Sequence, residues 1–363
     1  MNCSRIIKLI FPKYCIHPCN VVNFICEKII AMKSLIVDRI ESIDNSPLRM
    51  VVRDAATPQG SEILIRVHTC AICHTDLHII EGELPRKKSP ITPGHQVVGI
   101  VSEIGKSVTK HKIGDRVGVP WLFSTCGECE FCIRGEENLC NEAMFTGYDI
   151  DGGYAEYIVA KEDFAYKIPD KFSDESAAPL LCAGIIGFRA LRLSSIKPGG
   201  RLGLYGFGAS AHIAIQVARY WGCDVLVFSR NEHHKKLAEE LGAMWVGSSD
   251  DVPPFLLDSV ISFAPAGELV PKALRVLRKG GTLAVAGIYV SPIPEFDYNL
   301  LYHEKTIRSV ANSTRQDAID FLRLAAEIPI KTEVEVFPLE EANRALQLLK
   351  ASKTNGAGVL VVK

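Results

Sequence analysis

Arg201-Leu-Gly-Leu-Tyr-Gly206-Phe-Gly208-Ala-Ser-Ala211 is a short apolar run that breaks at two glycines and leads into the apolar segment 212–221. The run reads as a strand and the segment after it as a helix. A G-x-G-x-x-A pattern signifies dinucleotide binding only in that strand–turn–helix context. Glycine at the first two positions permits a tight turn and close approach of a pyrophosphate to the helix N-terminus. Alanine at the third suits the place where the helix packs on the strand. Gly206, Gly208 and Ala211 are therefore the expected cofactor turn.

Outward from this turn, strands are expected at 224–229, 244–246, 258–263, 282–286 and 306–310, with helices at 183–193 and 232–241. Strands alternating with helices imply a parallel sheet covered on both faces. Residues 180–317 thus read as a doubly wound Rossmann domain of α/β class. Before it, residues 32–179 hold brief β-rich runs near 62–68, 97–102 and 115–119, broken by Gly and Pro. The last segment, 318–363, is expected to add helices and a closing strand and to return to that first, β-rich domain.

The end of the second strand distinguishes the two nicotinamide cofactors. An NAD site usually places an acid there for the ribose hydroxyls. This chain has Val227-Phe-Ser229-Arg230-Asn231 and no acid. Ser229 can donate to a 2′-phosphate and Arg230 can pair with it, which favours NADP. The alternative is a solvated Arg230, with Glu232 serving NAD.

Two groups of metal-binding residues stand out. Cys126, Cys129, Cys132 and Cys140 are spaced C-x2-C-x2-C-x7-C, and four such thiols can fill every position around one tetrahedral, structural Zn²⁺. Glu128, Glu130, Glu136 and Glu137 surround them against the single Arg134, which excludes a phosphate-binding zinc ribbon. A disulfide pair is the other reading. The second group is scattered: Cys73 in Cys73-His-Thr-Asp-Leu-His78, His95 in Pro93-Gly-His95-Gln96, and Cys182 in Leu181-Cys182-Ala-Gly184. Two Cys and one His leave a fourth position open, the pattern of a catalytic zinc. The neighbouring His233 and His234 diverge on a helix and read as surface residues.

Composition sets the outer bounds. The chain has 363 residues and a net charge of −1, and at about 150 residues per domain its length suggests two domains. No single-sign charge run points to nucleic acid or an anionic membrane, and no uninterrupted apolar run reaches about 18 residues. Of 12 cysteines, six serve the two proposed zinc sites, where thiolates must stay reduced. A cytoplasmic location follows. Residues 1–31 lack the apolar core of a signal sequence, and Met32 is the expected native start.

With these motifs in this order, the chain resembles the zinc-dependent medium-chain alcohol dehydrogenases over nearly all of residues 32–363. The resemblance implies a GroES-like catalytic domain (32–179 with 318–363), a Rossmann domain between its parts, and an active site in the cleft. It implies that Cys73, His95 and Cys182 hold a catalytic zinc and the four-cysteine loop a structural one. It further implies that Thr75 passes the substrate proton towards the cofactor ribose, that His78 is the relay base at the solvent end, and that Asp76 is a carboxylate behind the ligands. His74 and Arg315 are implied as cofactor phosphate contacts, and Trp121 as an aromatic wall of the substrate pocket. The reaction so implied interconverts primary alcohols and aldehydes by hydride transfer with NAD(P), in a homo-oligomer (dimer or tetramer). Gln96 departs from the family's usual Glu and removes a negative charge near the metal. Ile79, Ile80 and Trp121 suggest a substrate with an apolar tail. The rival readings are a zinc-free quinone or enone reductase of the same superfamily, which lacks this ligand set, and a non-catalytic NADP-binding redox sensor.

Overall fold

A computed structural model describes residues 30–354 and 356–362. Residues 1–29, on which most of the expected non-native start falls, lie outside the described residues.

The apolar runs of 201–310 form a six-stranded sheet: Arg201–Tyr205, Asp224–Phe228, Trp245–Gly247, Leu257–Ser262, Leu277–Val285 and Thr306–Ser309. All neighbours are parallel, in the order third, second, first, fourth, fifth, sixth. Leu202, Leu204, Val225, Leu226 and Val227 are wholly buried, as a sheet covered on both faces requires. The strand order reverses at Arg201–Tyr205, so the ligand crevice opens beyond that strand's carboxyl end. The helix after the glycine turn spans Ala209–Tyr220, three residues earlier than its apolar pattern begins. Apolar periodicity marks where a helix meets the core, whereas its first turn here carries Ala209 and Ser210.

The β-rich half is a seven-stranded sheet built on Glu62–Ala71 and Val97–Ile104. The closing strand Ala357–Val361 pairs antiparallel with Glu62–Ala71, so the end of the chain completes a sheet begun near its start. The helical stretch Asp174–Leu193 is long and apolar enough to cross a membrane by length and composition, but 67% of its most apolar window is buried within the fold. Leu180, Ile185 and Phe188 pack in one core with Ala71 and Val98 from one half and Leu202 and Ile213 from the other. Cys182 therefore sits at the seam of the two halves.

Candidate active site

Cys73 lies in extended conformation as the N-cap of helix His74–Glu81. Its Sγ accepts from the Thr75 N–H at 3.3 Å, and its own N–H donates to Asp76 Oδ2 at 3.0 Å. This is a capping box with a thiol in the hydroxyl's place. The helix went unpredicted because Cys is not among the residues that signal an N-cap. Its fourth-neighbour spacing brings His74 and His78 to one face, ring centroids 6.5 Å apart.

Asp76 is fully buried and gains four donors. Besides Cys73 N–H, they are Gly94 N–H at 3.2 Å, His95 Nδ1 at 3.2 Å and the Tyr154 hydroxyl at 3.0 Å. A buried carboxylate needs such partners. With Nδ1 turned to Asp76, His95 aims Nε2 at Cys73 Sγ, 3.2 Å away. Gly94 is required between them: its φ is +99°, and a Cβ there would lie 2.4 Å from the Tyr154 ring.

The ligand atoms of Cys73, His95 and Cys182 lie within 4.8 Å of one another. Bonds of about 2.3 Å to sulfur and 2.1 Å to nitrogen around a tetrahedral zinc place donors about 3.5 Å apart, so the set fits zinc. Burial opposes a charge on His95, yet Cys73 and Asp76 raise its pKa to about 10. A hydrogen bond with Cys182, followed by burial, pushes the Cys73 thiol well up. Both groups must give up these protons to ligate a metal, so metal binding here is coupled to proton release.

In the loop, Sγ separations are 3.8 Å for Cys126–Cys132, 3.5 Å for Cys129–Cys132 and 3.5 Å for Cys126–Cys140. A tetrahedral four-thiolate zinc has edges of about 3.8 Å, whereas a disulfide bond is about 2.05 Å. The loop thus has the shape of a closed metal site, not of a disulfide pair. Backbone N–H groups point at its sulfurs, Cys129 to Cys126 at 3.3 Å and Glu142 to Cys140 at 3.4 Å. Backbone donors at Glu128 and Cys129 lower the Cys126 pKa to about 7.

His78 Nδ1 is hydrogen-bonded to Glu83, and the Tyr289 ring of the Rossmann half lies 5.7 Å from it. Trp121 stands edge-on to His95 at 4.8 Å and stacks on Phe145 at 5.2 Å and Tyr148 at 5.8 Å. The Tyr148 hydroxyl donates to Pro85 O. Neither Phe145, Tyr148 nor Glu83 carried a sequence signal, since each meets its partner only through the fold. Ile79 and Ile80 are core residues, buried in the same cluster as Trp121 and Tyr148.

In the cofactor turn, Gly206 has φ +82° and donates its N–H to Phe228 O at 2.9 Å. A Cβ there would meet Ala264 at 3.1 Å. Gly208 is the N-cap, with no side-chain cap and open space where a Cβ would stand, which leaves the first helical N–H groups approachable. Ala211 is fully buried. The Ser229 side chain is buried and accepts from the Asn231 N–H at 3.3 Å, while Arg230 is exposed with no ion pair among the described residues. Burial and the nearby His78 lower the His74 pKa, although part of the residue reaches solvent.

Arg315, an expected cofactor phosphate contact, meets the four-cysteine loop in this structure. Its backbone N–H and Nε both donate to Glu137 Oε1, at 2.9 and 3.1 Å, and its guanidinium lies over the Phe164 ring at 5.1 Å. The side chain thus serves the buried Glu137 of the four-cysteine loop, whose carboxylate needs a cation.

A doubly wound dinucleotide fold, joined at its crevice to two thiols and an imidazole poised for a metal, defines a nicotinamide-dependent dehydrogenase of the metal-ligating kind. Residues 59–170 match the alcohol dehydrogenase GroES-like domain and residues 209–327 the zinc-binding dehydrogenase domain. A probable alcohol dehydrogenase, AdhA, from Mycobacterium tuberculosis is 46% identical over 90% of this chain and 96% of its own. An alcohol dehydrogenase of Geobacillus stearothermophilus is 38% identical over 91% of this chain and 100% of its own. The solved structure of a cinnamyl alcohol dehydrogenase from Sorghum bicolor superposes with a TM-score of 0.84 at 28% identity, covering 92% of this chain and 98% of that one. A Helicobacter pylori CAD complexed with NADP(H) superposes with a TM-score of 0.83 at 26% identity and the same coverages. The chain belongs to the zinc-type medium-chain alcohol dehydrogenase family. It is an NAD(P)-dependent alcohol oxidoreductase acting on small alcohols or aldehydes.

Proposed function

We propose that the protein interconverts primary alcohols and aldehydes with NADP, and holds two zinc ions per chain, one in the Cys73–His95–Cys182 site and one in the four-cysteine loop. The observation that carries the cofactor choice is the exposed Arg230 beside Ser229, with no acid at the end of the second strand. A guanidinium free of ion pairs can meet a 2′-phosphate that an acid would repel. Gly206, Gly208 and Ala211 set the helix against which the pyrophosphate rests.

Zinc supplies a Lewis acid for the substrate oxygen, and the dinucleotide gives or accepts hydride. The chain's own residues do the rest. Asp76 fixes the ring of His95 and the backbone of Cys73, which orients two ligands at once. Gln96, buried beside His95, keeps its position neutral, so Asp76 is the carboxylate in contact with the ligand histidine. Thr75 hands the alcohol proton to His78. Glu83 holds His78 Nδ1, which leaves Nε2 to exchange protons. The Trp121–Phe145–Tyr148 stack excludes water and accepts an apolar substituent. Thiolate ligands support a reducing, cytoplasmic setting. Exposed Tyr298 and Tyr302 near the edge strand Thr306–Ser309 support a homo-oligomer.

The test is the initial rate of butanal and benzaldehyde reduction with NADPH against NADH. The expected result is turnover with at least tenfold higher kcat/KM for NADPH. A preference for NADH contradicts the Ser229–Arg230 argument, and no turnover in zinc-replete protein contradicts the aldehyde reading.

A further inference from the structure

Between the third and fourth cysteines of the loop, the turn Glu137–Leu139 sends two polar side chains inward. Glu137 and Asn138 are only 4% and 7% exposed, in a loop whose Ile133 is 76% exposed. Burying polar groups destabilises a fold unless they find partners, and both find them outside the loop. Glu137 Oε1 accepts from Arg315 N–H at 2.9 Å and Arg315 Nε at 3.1 Å, at the first residue of helix Arg315–Glu327. Asn138 Nδ2 donates to Ala311 O at 2.7 Å, and its Oδ1 accepts from Arg189 Nη2 at 3.4 Å.

The network continues inward. Arg189 pairs with Asp317 at 2.6 Å, Arg192 reaches the same carboxylate at 2.9 Å, and Asp317 closes a capping box with Thr314. Arg189 and Arg192 belong to helix Ala183–Leu193, which starts at the residue after Cys182. The Cys182 side chain makes no capping hydrogen bond of its own, so the placement of its sulfur depends on that helix. The loop cannot brace anything by apolar packing, because no residue of its helix Glu130–Ile133 is buried. Its rigidity comes from closure of the four thiols around a metal.

We infer that Glu137 and Asn138 are positioning residues that make the four-cysteine loop a brace: with its metal in place, the loop fixes helix Ala183–Leu193 and the start of helix Arg315–Glu327, and so sets Cys182 within the three-ligand site. The brace rests on the two-zinc reading given above. It explains why Arg315 is spent on Glu137, and it joins two metal sites that share no ligand.

Asn138→Ala and Glu137→Gln change little volume and keep every metal ligand. In the full-length holoenzyme, cobalt(II) exchanged into the three-ligand site reports release from that site alone through its thiolate absorption, with a chromophoric chelator as acceptor. Release is expected to be about tenfold faster in each variant, in keeping with the loss of hydrogen bonds to charged groups. Hydrogen exchange should quicken across 183–193 and 315–327 and stay as in the parent across 201–205. A merely structural role would speed exchange within the loop and leave cobalt release unchanged, and that result overturns the brace. Fewer than two zinc ions in the unsubstituted protein overturns the reading beneath it, a failure told apart because no variant is involved.

Discussion

The four-cysteine loop draws every ligand from one run of chain, Cys126 to Cys140, whereas Cys73, His95 and Cys182 come from a helix N-cap, the lead into a strand and the start of a second helix. The loop's sulfurs are steadied by nearby backbone N–H groups. The scattered site is steadied by a buried carboxylate that binds two ligand segments and a tyrosine. A site closed by its own segment can fasten a loop without help from the rest of the fold. A site gathered from distant segments takes its geometry from the fold, which can leave one position open for a substrate.

That contrast predicts opposite losses. Cys73→Ala and Cys182→Ala should lower kcat/KM by a factor on the order of 10³ or more, since a Lewis acid worth several kcal/mol is lost, with the melting temperature little changed. Cys129→Ala should instead unfasten the loop, and calorimetry should show a destabilisation of several kcal/mol. The reverse pattern would break the distinction between the two sites.

Acid sensitivity offers a second way to separate metal sites from scaffold. His212, outside both clusters, is buried with an unpartnered Nε2, and burial lowers its pKa to about 4. The unfolded chain, with an ordinary value near 6.5, binds that proton more readily. Stability from this group is therefore complete above pH 6.5 and falls as the pH drops towards 4, by about 3 kcal/mol. His212→Asn should flatten that slope in denaturant titrations while zinc content at each pH is unaltered. A slope identical to the parent's would assign acid loss to the metal sites alone.

Asp76→Asn tests the scattered site's support. Activity and zinc affinity should fall about 10- to 100-fold, with the loop zinc retained; equal loss of both metals would contradict the separation. Arg230→Gln touches neither metal site. It should reduce kcat/KM with NADPH about tenfold and leave that with NADH within about twofold, so unequal metal content in this variant would expose an indirect effect.

The same contrast governs what could be read from the chain alone. The loop's spacing and the Gly206 turn are local signals: the four thiols do cluster and the turn does join a strand to a helix, while the six parallel strands lie within a residue or two of their expected positions at most ends. The fifth strand began early, at Leu277, because Lys279 and Gly280 hide its apolar pattern. Helix His74–Glu81 was hidden by its cysteine cap. The partners of Asp76 lie up to 78 residues away in sequence, and no periodicity reports such contacts. The Arg315–Glu137 contact was hidden for the same reason, since the two residues are 178 positions apart.

The most direct test of the account is metal analysis of the purified protein, followed by aldehyde reduction and circular dichroism during stepwise chelation. The account predicts two zinc ions per chain, with turnover lost as the first is removed and before the fold is disturbed. Full turnover in protein stripped of both zinc ions would contradict it.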